Sequence, residues 1–286
     1  MKDVKGKTAF ITGGASGIGL GMARAFGLAG MKVMLADLDQ AKLNTAVEGL
    51  KSQQIDARAV VCDVTSRGEV QRAALQTIDA FGKVHVVCNN AGVGAGGTLG
   101  EVEPRNWDWV IDVNLKGVYY GVETFAPLIK SHGEGGHIVN TASMLGLVTF
   151  GGVEPYTATK YAVVGMSEGW RQQLEPFNIG MSVLCPSWVR TGIAESGRNR
   201  TTAYGGAIEP QAHPIGDMVK AAIAGGFDPD VVGERVLEAI RANELYIIVG
   251  SDIRAMVEAR FKAILEGCEA SERSPALMRA KKQVAP

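Results

Sequence analysis

The chain lacks the marks of several large protein classes. It has four cysteines in 286 residues, with no Cys-x-x-Cys pair and no Cys/His group at zinc spacing. Cys62, Cys88 and Cys185 close apolar runs (ARAVVC, VHVVC, MSVLC) and read as small strand-end residues, which fits a reduced, cytoplasmic setting. His85, His132, His137 and His213 form no ligand pattern, so no metal site is expected. No charge of one sign dominates: 29 Lys and Arg stand against 30 Asp and Glu, a net charge of −1. That balance, without any Lys/Arg run, offers nothing to nucleic acid or anionic lipid. No run of about eighteen apolar residues exists to span a membrane. The opening MKDVKGKTAFITGG has neither the apolar core nor the cleavage site of a secretion signal. No Pro/Ser linker or shift of composition divides the chain, so one domain over 1–286 is expected.

What is present is a regular alternation. Apolar, β-branched runs at 7–12, 32–37, 57–62, 84–89, 136–141, 180–185 and 245–250 are continuous rather than alternating. Strands buried on both faces of a parallel sheet read this way. Helical patterns fill the gaps at 18–30, 39–53, 66–81, 106–131, 155–176, 230–243 and 252–266. Asp39 is the expected N-cap of the second, and Ser66 with Glu69 has capping-box spacing. Strand and helix in turn imply an α/β fold, one doubly wound sheet of seven parallel strands with helices on both faces. Residues 187–229 are rich in Gly, Pro and Thr and read as an irregular substrate lid. Residues 251–286 read as a C-terminal helix followed by a polar, basic tail.

Chemistry concentrates at the ends of the strand runs. TGGASGIG (Thr12–Gly19) follows the first strand and opens a helix. Gly13, Gly17 and Gly19 permit a sharp turn and close approach of a ligand, with Ser16 and Ile18 between them. The free N–H groups and positive dipole end of the following helix favour a pyrophosphate. Asp37 ends the second strand at the offset where an acid meets an adenosine ribose. Leu38 follows it, and no Lys or Arg lies in the turn, so NAD is expected rather than NADP. The stretch PYTATKYAVVG places Tyr156 and Lys160 four apart, on one helix face, about 6 Å along the axis. An ammonium there should lower the phenol's pKa and make it a base. Tyr161 lies about 140° further round the helix from Tyr156, which excludes it from that role.

TGGASGIG, Cys62-Asp63-Val64, Asn89-Asn90-Ala91-Gly92, Asn114, Ser143 and Tyr156-x-x-x-Lys160 occur in an order and spacing that resembles the short-chain dehydrogenase/reductase family, over nearly all of residues 5–250. The resemblance implies a Rossmann fold and hydride transfer between NAD and a small-molecule secondary alcohol or ketone. It implies that Asp63 and Val64 hold the adenine, that Asn90, Ala91 and Gly92 line the cofactor, and that Pro186, Val189 and Thr191 meet the nicotinamide side. Tyr156 is then the general acid/base, and Lys160 holds the phenol and the nicotinamide ribose. Ser143 holds the substrate oxygen, and Asn114 continues a water-linked proton path.

One departure is visible. Where the family has Pro-Gly after the sixth strand, this chain reads PSWVRT, with Ser187 and Trp188 adding bulk at the substrate mouth. The C-terminal third resembles bacterial members that oxidise benzylic alcohols in lignin-derived aryl ethers, which implies a hydrophobic or aromatic substrate. Met144, Leu145, Leu147, Val148, Trp188 and Tyr204 are candidates for its pocket and lid, while Trp107 and Trp109 read as packing residues. The long helices carry apolar positions (Val118, Tyr119, Phe125) beyond those a sheet contact needs, and in the family such helices pair between subunits. A homodimer or homotetramer is expected. Two rival readings stand beside this one: a non-catalytic dinucleotide sensor or scaffold, and an epimerase or dehydratase with a transiently reduced cofactor.

Overall fold

The computed structural model describes residues 1–97, 99–208, 214–250 and 253–284, the side chains of 214–215 and 281–284 excepted. Its seven strands are β1 (Thr8–Thr12), β2 (Lys32–Asp37), β3 (Ala57–Val61), β4 (Val86–Asn89), β5 (Gly136–Thr141), β6 (Ile179–Pro186) and β7 (Tyr246–Val249). They pair in the order β3-β2-β1-β4-β5-β6-β7, every neighbour parallel. The order reverses between β1 and β4, and the crevice at such a switch point is where open α/β sheets bind ligands.

In the inner strands the continuous apolar runs are explained by burial on both faces, whereas the edge strands β3 and β7 have exposed positions at Arg58, Val61, Tyr246 and Ile248. Along β1, Ala9 and Ile11 join one core cluster and Phe10 the other; along β2, Val33 and Leu35 part from Met34 and Ala36 in the same way. The first core is closed by α1 (Gly17–Leu28), α2 (Gln40–Ser52) and α8 (Pro229–Ala242), through Met22, Phe26, Leu43, Leu50, Val232 and Val236. The second is closed by α3 (Arg67–Phe81) and α5 (Gly117–His132), through Val70, Ala73, Val122, Phe125 and Ile129. Phe10 and Phe125 meet across that face with ring centroids 4.5 Å apart.

Asp39 caps α2 as expected, accepting from the Lys42 N–H. Ser66 caps α3 through the Glu69 N–H, but the box is not reciprocal: Glu69 Oε2 accepts from the Asp63 N–H at 2.8 Å. The carboxylate reaches past the cap and fixes the residue that ends the third strand run.

Several boundaries differ from the periodicity. The pattern at 106–131 is α4 (Pro104–Ile111), a π-helical turn (Asp112–Lys116) and α5 in continuous succession. Val118 and Phe125 of α5 face this chain's own core, in step with Val122 and Ile129, and only Tyr119 of the three surplus positions is exposed. The pattern at 155–176 is α6 (Glu154–Leu174). The lid is less irregular than its composition: Ile193–Asn199 and Thr202–Tyr204 form short 3-10 turns, and α7 spans Pro214–Ala224. Met, Lys and Ala are good helix formers, and a proline suits the first helical position. His213 and the rest of 209–213 lie outside the described residues.

Met1–Val249 forms one compact unit and Gly250–Pro286 a second. In the second, α9 (Arg254–Glu272) runs further than its apolar pattern, and α10 (Pro275–Val284) occupies the stretch read as tail. The first is rich in Ala, Glu and Arg and the second in Ala and Lys, all good helix formers. No helix among the described residues is long and apolar enough to cross a membrane.

Candidate active site

The Gly-rich turn sits where β1 delivers the chain to α1. Gly13 and Gly17 have positive φ (61° and 52°), which side chains adopt at a cost. A Cβ on Gly19 would collide with the Gly13 carbonyl oxygen. The turn is tied to the end of β4 by groups that motif spacing does not single out. Thr12 Oγ1 accepts from the N–H of Asn90 (2.9 Å) and of Ala91 (3.0 Å), while Asn90 Nδ2 donates to the Thr12 carbonyl at 3.0 Å. The Thr141 hydroxyl donates to Asn90 Oδ1 at 3.3 Å and draws in β5. Three strand ends thus share one small network.

On the other side of the turn, Asp37 Oδ2 accepts from the Ala15 N–H at 3.3 Å and Oδ1 from the Asp39 N–H. The carboxylate is half-buried at the lip of the crevice, with exposed Leu38 beside it. Ser16 is exposed, and its side chain makes no capping bond to α1; Ile18 packs on the first core. Asp63 accepts from the Thr65 N–H and hydroxyl, and Val64 is buried against Gly117. Pro186 ends β6; Val189 bridges to Phe227, and Thr191 lies against Gly17. These residues stand at or just beyond the ends of β1, β2, β3, β4 and β6.

Ser143, Tyr156, Lys160 and Asn114 converge at the ends of β4 and β5. Ser143 follows β5, caps a short 3-10 turn through the Leu145 N–H (3.1 Å), and hydrogen-bonds Tyr156. Tyr156 is half-buried in the first turn of α6. Lys160, only 2% exposed, donates from Nζ to the Thr141 carbonyl at 2.9 Å and lies 5.3 Å from the centroid of the Tyr156 ring. A Cβ on Gly92 would stand 3.4 Å from Asn114 Oδ1 and 3.6 Å from Lys160 Nζ, so three elements meet around that glycine.

Asn114 sits in the π-helical turn, a distortion that often marks functional sites. Its side chain clamps the backbone after β4, with Oδ1 accepting from the Val93 N–H at 2.8 Å and Nδ2 donating to the Val93 carbonyl at 2.9 Å. A long 3.5 Å contact leads on to Thr159 Oγ1, which donates to the Tyr156 carbonyl.

The electrostatics correct one expectation. Burial pushes the Tyr156 phenol up to about 12, against a smaller downward pull from Ser143. Burial likewise lowers Lys160 to about 8. In the chain alone, desolvation therefore sets the direction for both groups. Tyr161, five residues on, is half-buried.

The pocket candidates divide. Met144 and Val148 are buried, and Leu147 packs on the core of Val118, Ala142 and Val163. Leu145 and Trp188 remain half-exposed. Of the tryptophans, Trp109 is buried among Val64, Val93 and Val113, and Trp107 is half-buried. The lid docks through Ser196, whose hydroxyl accepts from the Gly94 N–H at 2.9 Å.

Among the described residues one group has the proximity of metal ligands, His85, His132 and Glu134, at the opposite end of the strands. Its atoms are already committed. Each Nδ1 accepts a backbone N–H, from Thr8 and Glu134; His132 Nε2 meets the Val84 carbonyl; and Glu134 holds His85, Lys7 and Lys83. It reads as an electrostatic tie between strand starts, and burial lowers the His85 pKa so that the ring stays neutral.

The short chain dehydrogenase family matches residues 7–201. The chain belongs to that family. It is accordingly an NAD-dependent oxidoreductase, and the residues fit the cofactor: a turn whose glycines leave room for a pyrophosphate, with the Asp37 carboxylate beside it. It is 35% identical over 276 residues to the C alpha-dehydrogenase of a Sphingobium species, covering 96% of this chain and 90% of that one. A short chain dehydrogenase/reductase from Burkholderia phymatum, solved with NAD, is 37% identical with a TM-score of 0.89 and covers 93% of this chain and 97% of its own. The apo form of LigO from Sphingobium is 32% identical with a TM-score of 0.83, covering 99% and 96%.

Proposed function

We propose that this protein interconverts a secondary alcohol and its ketone, with Tyr156 as general acid/base and a hydrophobic or aromatic substrate. One observation carries the reading: a half-buried phenol hydrogen-bonded to Ser143, with a buried ammonium four residues along the same helix. A sensor or scaffold has no need to bury that ammonium.

NAD, when bound, supplies the hydride acceptor and a positive charge on its ring. The chain's own residues supply the rest. Ser143 holds the alcohol oxygen, and Tyr156 takes its proton during oxidation or gives one during reduction. Lys160, anchored on Thr141, stabilises the phenolate and contacts the nicotinamide ribose. Because burial holds the phenol near 12 in the chain alone, the phenolate depends on the cofactor's charge in addition to that of Lys160. Asn114 fixes the backbone at Val93 and carries the water-linked path to Lys160.

Gly13, Ser16, Gly17, Ile18 and Gly19 take the pyrophosphate, and Asp37 with Leu38 the ribose. Asp63 and Val64 receive the adenine, Asn90, Ala91 and Gly92 line the middle, and Pro186, Val189 and Thr191 hold the nicotinamide side.

The half-exposed Leu145 and Trp188 support an apolar substrate. Likeness to a C alpha-dehydrogenase supports a benzylic alcohol. The exposed Tyr119 on α5 supports a homo-oligomer, and the reduced cysteines a cytoplasmic setting. The test is a panel of secondary alcohols with NAD or NADP, followed by reduced-nicotinamide absorbance. Turnover of aryl secondary alcohols with NAD is expected. Activity confined to NADP, or absent with every alcohol and ketone, contradicts the proposal.

A further inference from the structure

The lid carries one side chain that the reaction does not use. Tyr204 ends the short turn Thr202–Tyr204, and its hydroxyl donates to Asp112 Oδ2, on the π-helical turn, at 2.6 Å. The Thr65 hydroxyl, itself bonded to Asp63, also reaches the phenol. The ring packs on the cluster of Val64, Val93, Trp109, Val110 and Val113, which Ala91 also joins. These neighbours come from the ends of the third and fourth strand runs, from α4 and from the π-helical turn. They include Asp63, Val64 and Ala91, all assigned above to the cofactor.

The position is held from both sides. Eight residues earlier, Ser196 docks on Gly94. Arg200, with a side chain only 4% exposed, pairs with Glu103 at 3.0 Å. Gly205 turns the chain away with φ of 102°. A ring anchored at its hydroxyl, flanked by aliphatic walls and standing beside Asp63, is a suitable neighbour for a flat heterocycle.

We propose that Tyr204 is a cofactor-binding residue: from the lid, its ring walls the adenine end of the crevice, and its bond to Asp112 sets the ring there. The substrate lid and the adenosine half of NAD are then coupled through one side chain. This rests on the assignment of Asp63 and Val64 to the adenine.

The test is calorimetric binding of NAD, ADP-ribose and nicotinamide mononucleotide to the wild type, Tyr204→Ala, Tyr204→Phe and Asp63→Ala. Removing an aromatic wall from a base weakens binding by about tenfold. Tyr204→Ala should lose that much for NAD and ADP-ribose, and nothing for nicotinamide mononucleotide. Tyr204→Phe keeps the ring, loses the Asp112 bond, and should lose about twofold to threefold on the same two ligands; it decides the matter if the alanine variant does not fold. Unchanged or tighter NAD binding in both variants overturns the proposal, since a ring that occupied the adenine site would compete with it. An equal loss for nicotinamide mononucleotide overturns it as well. If Asp63→Ala leaves ADP-ribose affinity unchanged, the adenine assignment fails and takes the proposal with it; loss at Asp63 without loss at Tyr204 sinks the proposal alone.

Discussion

Lys160→Met should stabilise the cofactor-free protein while abolishing its chemistry. The ammonium is only 2% exposed, and burial lowers its pKa from 10.5 to about 8, with a small opposing pull from Cys185. At about 1.4 kcal/mol per unit, the charged form costs roughly 3 kcal/mol of folding stability at neutral pH. Methionine fills a similar volume without that charge but leaves the Thr141 carbonyl without its donor, a loss of about 1 kcal/mol. The net gain is about 2 kcal/mol, or about 4–8 °C in melting temperature for a domain of this size. The sign depends on pH. Below about 8 the lysine is charged in both folded and unfolded chains, and the cost is fully present. From about 8 to 10.5 the folded protein has shed the proton and the unfolded chain has not, so wild-type stability rises with pH. The advantage of methionine therefore shrinks through that window and gives way above it to a deficit of about 1 kcal/mol, the lost Thr141 bond. Scanning calorimetry of both proteins at pH 7 and above pH 10 measures this. A melting temperature that falls in the variant by the same amount at both pH values refutes the reasoning, and would mean that packing and the Thr141 bond outweigh desolvation.

Gly19→Ala should cost NAD binding at least about a hundredfold, because its Cβ meets the Gly13 carbonyl in the turn that takes the pyrophosphate; titration with NAD checks it. Tyr161→Phe should keep most of the wild-type kcat, because five residues of helix carry it about 140° round from Tyr156; steady-state kinetics showing its loss would overturn that helical placement. Asp37→Asn should raise the KM for NAD severalfold and narrow its advantage over NADP, by removing the carboxylate at the ribose position.

Much of this was legible in the sequence because it is local. Continuous apolar runs report burial on both faces, as the split of Ala9 and Ile11 from Phe10 shows. The Tyr156–Lys160 pair needs only the helix period. The Gly-rich turn and Asp37 sit at strand ends that apolar runs mark directly.

What was hidden depends on distance or on balance. Thr12 and Asn90 are far apart in the chain and meet only because β1 lies beside β4. The extra residue of the π-helical turn leaves the apolar pattern of 106–131 intact, so Asn114 read as an ordinary helical position. The reach of Glu69 to Asp63 competes with a capping box of identical spacing. The phenol's pKa turns on whether burial or the nearby charge wins, which spacing cannot weigh. His85 is far in the chain from His132 and Glu134, and only the folded chain brings it beside them.

The most direct measurement is single-turnover reduction of NAD by an aryl secondary alcohol in the wild type and Tyr156→Phe, with the NAD dissociation constant measured in both. Removing the phenolic hydroxyl should slow hydride transfer by about a thousandfold and leave the dissociation constant within about twofold. Hydride transfer at the wild-type rate in Tyr156→Phe would contradict the role given to Tyr156.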